Sequence, residues 1–334
     1  MNHENQATTF ACAESAHLAI AGHNLIDTAI DGNNPICPSI INHNLINPSI
    51  IDHNFTGTRI IHGDTLEVLK TFPDKLFGGI ICDPPYASGA ADQNVRAKST
   101  AQKYSSVKSG NPLPDFEGDS KDQRSWTNWM TDWLIEARRC TKPGAPILMF
   151  IDWRQLPSMT DALQWAGWIW RGILVWDKTN SRPQRGRFRQ QAEFMVWGSN
   201  GHMPLDRKAP ILPGVFRQAM PPFQKRIHQT EKPLGVMRDL VKIVEPGNDS
   251  PSGGIILDPF AGAGTTVLAA ALEGYPAVGI ELSKHYADAS ALRIETALAQ
   301  VSLEDLSEDG SVQEISSMAD NSVIDFGTTL PVAA

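Results

Sequence analysis

Residues 254–272 read Gly254-Ile255-Ile256-Leu257-Asp258-Pro259-Phe260-Ala261-Gly262-Ala263-Gly264-Thr265-Thr266-Val267-Leu268-Ala269-Ala270-Ala271-Leu272. A short apolar run, a glycine turn and an apolar helix, in that order, bring backbone and a helix N-terminus close to a nucleotide-like ligand. The turn is not a Walker loop, because no Gly-Lys-Ser/Thr follows. It is not the dinucleotide fingerprint either, because Val267 stands where the third glycine belongs. Ordinary turn chemistry is the competing account of the glycines. Further on, Pro276-Ala277-Val278-Gly279-Ile280-Glu281 is a second strand ending in an acid, where a carboxylate can take both hydroxyls of a ribose.

Far upstream, Gly79-Ile80-Ile81-Cys82 leads into Asp83-Pro84-Pro85-Tyr86. A buried strand that ends in a carboxylate, two prolines and an aromatic ring is suited to gripping a planar amine. Asp83 can accept one N–H of an exocyclic amino group and the Pro84 carbonyl the other. The fixed φ of Pro84 and Pro85 holds these acceptors still, and Tyr86 offers a ring face for stacking.

Together the two halves resemble the DNA amino-methyltransferases that use S-adenosylmethionine. Asp83-Pro84-Pro85-Tyr86 is the form that family carries when it methylates the amino group of adenine; members acting on cytosine usually have Ser in place of Asp83. His228-Gln229-Thr230-Glu231-Lys232-Pro233-Leu234 matches the element ahead of the family's cofactor loop, with Gln229 in place of the usual proline. Clamp first and cofactor loop last is the permuted order of the family's beta group, and the resemblance spans roughly residues 57–295. It implies an α/β, Rossmann-like methyltransferase fold with a mixed seven-stranded sheet, one strand of which is antiparallel. It also implies that the loop Phe260–Gly264, with Phe260, Ala261, Gly262 and Gly264, lies against the methionine part of the cofactor, and that Thr265 is a further cofactor contact. Glu281 would take the ribose hydroxyls, Asp64 the adenine amino group, and Lys232 the methionine carboxylate. A solvated Lys232 and a plain turn role for Asp258, itself a cofactor candidate, are the alternatives.

Alternation of short apolar runs with helical periodicities supports a parallel sheet covered on both faces. The reading places strands at Arg59–His62, Ile80–Cys82, Pro146–Asp152, Trp170–Trp176 and Ala192–Trp197. Helices are expected at Thr65–Thr71, up to about Arg139 behind Trp126, Trp129 and Trp133, at Pro157–Ala166 and at Leu234–Val244. The strands at 170–176 and 192–197 are joined without a helix and are expected to be antiparallel neighbours. All nine tryptophans lie between 126 and 197, and their spacing favours core over a base-stacking platform.

The domain organisation is expected to be a flexible extension over 1–56, a catalytic domain over 57–300, and an acidic, disordered tail over 301–334. The extension holds five of the nine histidines and a near-repeat, residues 38–47 against 48–55. Single histidines among Asn and Ile make a metal site there the weaker reading, and no metal is expected. A proline-rich stretch, 198–227, stands where the family keeps its target-recognition region. It carries Arg207, Lys208, Arg217, Lys225 and Arg226, and 87–125 adds Arg96, Lys98, Lys103 and Lys108.

The chain has 334 residues and a net charge of −8, which at first disfavours a nucleic-acid partner. Twelve of the 37 acids, and no Lys or Arg, lie in 1–56 and 301–334, so 57–300 holds 25 acids against all 29 basic residues. Lys178, Arg182, Arg185, Arg187 and Arg189 fall between two strands, opposed only by Asp177, and suit phosphates. Cys12, Cys37, Cys82 and Cys140 show no paired spacing, and no apolar stretch approaches 18 residues. A reduced, cytoplasmic protein away from membranes is expected, acting on double-stranded DNA; a cognate restriction endonuclease and a homodimer are open. Cytosine-C5 chemistry is rejected, since the chain offers only Cys37-Pro38, in reversed order. An adenine inside a duplex reaches such a pocket only by flipping out, with Tyr86 replacing the lost stacking. The rival readings are N4-cytosine methylation and a non-catalytic DNA-binding regulator.

Overall fold

A computed structural model describes residues 51–87, 121–183, 185–222, 231–247 and 253–308, the last seven as backbone. The expectations for the extension up to residue 50, for 88–120, for Lys225, Arg226 and residues 228–230, and for the tail beyond 308 fall outside these residues.

Among the described residues one sheet of eight strands runs in the order β1-β8-β7-β2-β3-β5-β4-β6. The strands are β1 (Thr58–His62), β2 (Gly79–Cys82), β3 (Pro146–Ile151), β4 (Ile169–Asp177), β5 (Ala192–Ser199), β6 (Val215–Arg217), β7 (Ile256–Asp258) and β8 (Ala277–Glu281). β5 is antiparallel to both β3 and β4, and every other pairing is parallel. One antiparallel strand is therefore found, as expected. The sheet has eight strands rather than seven because Val215-Phe216-Arg217 pairs with Val175–Asp177. Phe216 alone of the three is buried, and an interrupted stretch among prolines gave no alternating pattern to detect.

The helices are α1 (Thr65–Leu69), α2 (Gln123–Cys140), α3 (Leu156–Trp165), α4 (Leu234–Val241), α5 (Thr265–Leu272) and α6 (Lys284–Glu308). β2 and β3 are buried along their whole length, as a parallel strand covered on both faces must be. Their side chains alternate. Ile80, Cys82, Ile147 and Met149 pack with Trp126, Met130 and Trp133 of α2 and with Met159 and Leu163 of α3. Ile81, Leu148 and Phe150 pack on the opposite face with Val236, Met237 and Leu240 of α4 and Val267 and Leu268 of α5.

α2 forms because apolar residues recur three to four apart, from Trp126 through Met130, Trp133 and Ala137 to Cys140. Asp122 caps it by accepting from the N–H groups of Arg124 and Ser125, while Arg138 and Arg139 oppose the negative end of its dipole. Trp126, Trp133, Trp168 and Trp176 are core residues; Trp153, Trp165 and Trp170 are exposed.

Two boundaries shift. Ile51 is 1% exposed and belongs to the core, so the packed unit begins ahead of residue 57. α6 continues to Glu308, past the expected end at 300. No helix among the described residues is long and apolar enough to cross a membrane.

Gly279 lies in β8 beneath the glycine turn. A Cβ there would stand 2.7 Å from Ile60 Cδ1, 2.8 Å from Ala261 Cβ and 3.0 Å from Val267 Cγ2. Gly279→Ala is expected to lower stability by about 1–3 kcal/mol in urea unfolding, whereas Gly214→Ala, where a Cβ meets open space, should change it by about 0.5 kcal/mol or less.

Candidate active site

Parallel pairing of β1, β8, β7, β2 and β3 places their carboxyl ends on one side of the sheet, where ligands of open α/β sheets bind. Asp83 follows β2, Asp258 ends β7, Glu281 ends β8 and Asp64 follows β1. β7 pairs directly with β2 through Gly79–Ile256 and Ile80–Leu257. The clamp and the glycine turn, far apart in the chain, are thereby neighbours.

The turn is tied down at three successive residues. Phe260 N–H donates to Asp258 Oδ1 at 3.0 Å, Ala261 N–H to the Ile280 carbonyl at 2.8 Å, and Gly262 N–H to Glu281 Oε2 at 2.9 Å. Gly262 and Gly264 have φ of 52° and 73°, the left-handed region in which a side chain is strained. Phe260 packs on Trp129 and Trp133, with ring centroids 5.6 and 5.1 Å away. Arg293 of α6, which no motif singles out, donates to the Ala263 carbonyl, Thr265 Oγ1 and Glu231 Oε1 at 3.0, 3.0 and 2.7 Å. It joins the turn to the segment ahead of α4.

Besides Asp83, three acids line this edge in different states. Asp64 is exposed, caps α1 and accepts from Glu67 N–H at 3.1 Å. Glu281 accepts from Gly262 and from Ser283 N–H, the latter at 2.8 Å, yet burial still raises its carboxyl above the ordinary value. Asp258 is pushed up to about 7, chiefly by burial, against the opposing hydrogen bonds of Thr266 and Phe260 N–H. It serves both as a strand-end turn residue and as a buried acid at the turn.

The clamp is supported from three elements. Trp126 Nε1–H of α2 donates to the Pro85 carbonyl at 2.7 Å. Pro84 is buried. The Tyr86 hydroxyl contacts Asp83 Oδ1 and lies 3.0 Å from Glu193 Oε1 of β5. Lys232 is 6% exposed, contacts Asp83 Oδ2, and stands 3.1 Å from Glu193 Oε1, with its ammonium 5.5 Å from the Tyr86 ring and 5.0 Å from that of Phe150. It is therefore not a solvated lysine, and its charge is directed to the clamp rather than toward the glycine turn.

Lys178 is drawn to the same cluster, 3.2 Å from Glu193 Oε2. Glu193 thus opposes the basic loop from inside, a contact hidden by the spacing along the chain. Burial raises Asp83, Lys232 pulls it back and Glu193 raises it further, leaving it above the ordinary carboxyl value. Burial would raise Glu193 too, but Lys232 and Lys178 hold it below the usual range. Lys232 is held up, because Asp83 and Glu193 outweigh the effect of burial.

Of the basic loop, Arg182, Arg185 and Arg187 are exposed. Arg189 folds back, donating to the Ser181 carbonyl at 2.6 Å and to that of Thr179 at 3.3 Å. Arg207 departs from its expected role at a recognition surface. It is buried against Glu245 at 3.4 Å and donates to the Ile243 carbonyl at 2.6 Å. Arg217 pairs with Asp177 at 3.1 Å.

Residues 78–292 match the sequence model of the N6/N4 methyltransferase family described as DNA methylase. The chain is 29% identical over 238 residues to YubD of Escherichia coli (strain K12), named as a methylase, covering 71% of this chain and 90% of YubD. It is 23% identical over 278 residues to the type II methyltransferase M.ScaI of Streptomyces caespitosus, covering 71% and 81%. The solved PvuII DNA methyltransferase, described as cytosine-N4-specific, superposes with a TM-score of 0.51 at 16% identity, covering 71% of this chain and 86% of that one; that likeness concerns the fold.

Asp258 sets a pH dependence of stability. Its folded-state value, about 7, exceeds the ordinary 3.8, so the folded protein binds the proton more tightly. The stabilisation it brings is present below pH 3.8 and lost as pH rises to about 7, by something on the order of 4 kcal/mol. Asp258→Asn is expected to flatten the unfolding free energy over that window, measured by urea melts at stepped pH.

Proposed function

The chain belongs to the DNA methylase family, and from that membership we propose that it methylates the N6 amino group of an adenine turned out of duplex DNA, with S-adenosylmethionine as methyl donor. The observation that carries the reading is the half-buried Asp83 carboxylate at the end of central β2, paired with the buried Lys232 ammonium and next to the glycine turn.

The lone pair of an aromatic amine is delocalised into its ring, so the nitrogen is a poor nucleophile. Asp83 and the Pro84 carbonyl, each accepting one N–H, draw the nitrogen toward tetrahedral geometry and free the lone pair. Trp126 fixes the Pro85 carbonyl and so the path of the loop. Catalysis on this account is positioning and preorganised charge. Tyr86, its hydroxyl anchored at Asp83 and Glu193, turns a ring toward the extruded base.

Asp64, Asp258 and Glu281 offer carboxylates along one edge, and Phe260–Gly264 offers backbone beside them. That set fits a ligand with a cationic sulfonium, ribose hydroxyls and an amino group. When bound, the cofactor supplies an electrophilic methyl group. Lys232 is assigned to Asp83 rather than to the methionine carboxylate, because its charge is already shared by two half-buried acids.

Arg182, Arg185 and Arg187 suit the phosphate backbone. Phe188, 98% exposed between two arginines, suits the gap that a flipped base leaves in the stack. The likeness to a type II methyltransferase supports a restriction-modification setting. N4-cytosine methylation is the second reading, favoured by the fold shared with the PvuII enzyme. The intact buried cluster argues against a non-catalytic regulator.

Plasmid DNA methylated by the protein, digested to nucleosides and separated by mass, is expected to contain N6-methyladenine, and finding methylcytosine alone would end the adenine assignment. Asp83→Ala should abolish transfer while leaving DNA affinity within a few-fold. Replacing Arg182, Arg185 and Arg187 together by Ala is expected to flatten the slope of log affinity against log salt by about 2–3 without altering cofactor affinity, as measured by DNA binding across a salt series.

A further inference from the structure

We propose that Glu193 is a relay residue: the proton shed by the methylated amine passes from Asp83 through the Tyr86 hydroxyl to Glu193 and leaves by way of the Lys178 loop. The inference rests on Asp83 receiving an amino group, as argued above.

The geometry is that of one hydroxyl between two acids. Tyr86 Oη contacts Asp83 Oδ1 and is 3.0 Å from Glu193 Oε1. A phenol carries one proton, and an ionised carboxylate only accepts. With both acids ionised, only one of the two contacts is a hydrogen bond. One added proton satisfies all three groups, since the protonated acid donates to Oη and Oη donates to the other acid. The arrangement therefore has a place for one proton, movable between its two ends.

Access to solvent gives the direction, because the charges alone keep a proton more readily on Asp83 than on Glu193. Asp83 and Glu193 are balanced by Lys232 and Lys178, so the four groups sum to zero with both acids ionised. Methylation leaves the amine nitrogen with one proton too many. Its N–H bond breaks as an O–H bond forms on Asp83. The Asp83 proton then goes to Oη as the Oη proton goes to Glu193 Oε1, which restores Asp83 and Tyr86. A flipped base covers the front of Asp83, whereas Glu193 of β5 is reached from Asp83 through Tyr86 Oη and is itself paired with Lys178. Its Oε2 faces Lys178, which is 20% exposed and begins the loop to solvent. Held between two ammonium groups, Glu193 does not store the proton: its O–H bond breaks as a solvent water at the Lys178 loop takes the proton, which restores the Glu193 carboxylate. The Tyr86 hydroxyl, pushed well above its ordinary value by burial and by both acids, stays protonated throughout.

The full-length protein, unmethylated plasmid DNA and methyl-labelled S-adenosylmethionine provide the assay. Glu193→Gln is expected to slow turnover about 100-fold with cofactor affinity close to wild type, and to lower the melting temperature because Lys232 and Lys178 lose a counter-charge. Glu193→Asp should recover most of the rate. Tyr86→Phe, which keeps the ring, should lose a similar factor, and the double variant Tyr86→Phe/Glu193→Gln should be no slower than either. Glu193→Gln also removes a charge that raises Asp83, so the acidic limb of its pH–rate profile should move to lower pH. Formate added to Glu193→Ala should restore turnover in proportion to its concentration. Full turnover by Tyr86→Phe, multiplied losses in the double variant, or losses matched by an equal loss of cofactor affinity would each overturn the relay. A wild-type protein that methylates no DNA base would instead overturn the function proposed above.

Discussion

A buried ammonium shared by two carboxylates is the constraint on which this site depends. Lys232 comes from the segment before α4, Asp83 from the end of β2 and Glu193 from β5. Removing such charges from water costs several kcal/mol each unless they find one another. The cluster is thus a condition on the tertiary structure: β2, β5 and the turn into α4 must close to hydrogen-bonding distance together. It favours one arrangement of three segments that are remote in the chain, and it prepares the charge around Asp83 before any substrate arrives.

The rest of the site follows from parallel strands. In a parallel sheet the carboxyl ends of neighbouring strands share an edge, so Asp83, Asp258 and Glu281 line up although nearly 200 residues separate the first from the last. The order of the motifs along the chain then has no bearing on their chemistry. Adjacency of β2 and β7 unites the Asp83–Tyr86 segment with the glycine turn, and Arg293 of α6 fastens that turn to Glu231, beside Lys232. One helix therefore supports both halves of the site.

The antiparallel β5 serves both the site and its outer edge. It brings Glu193 inward against Tyr86, and through the loop behind Lys178 it carries Arg182, Arg185 and Arg187 outward. The outward group suits a polyanion, and the inward pair neutralises a buried cluster. Neighbouring basic residues thus divide into two tasks by which way the hairpin turns them, which is why Lys178 and Arg187 are not equivalent.

By itself the sequence determined the alternation of strands and helices, the antiparallel hairpin, the clamp at 83–86 and the glycine turn at 260–264. These are local: apolar period, proline geometry and glycine backbone freedom act over a few residues. Only the tertiary structure decided the role of Glu193, whose surroundings in the chain, Gln190-Gln191-Ala192 and Phe194, carry no chemical signal. The same holds for Arg293, for the inward turn of Lys178 and Lys232, for the structural use of Arg207, and for β6. The physical reason is that a charge acquires its function from what faces it across several ångströms of low-dielectric interior, and those partners are set by strand pairing between distant segments rather than by neighbours in the chain.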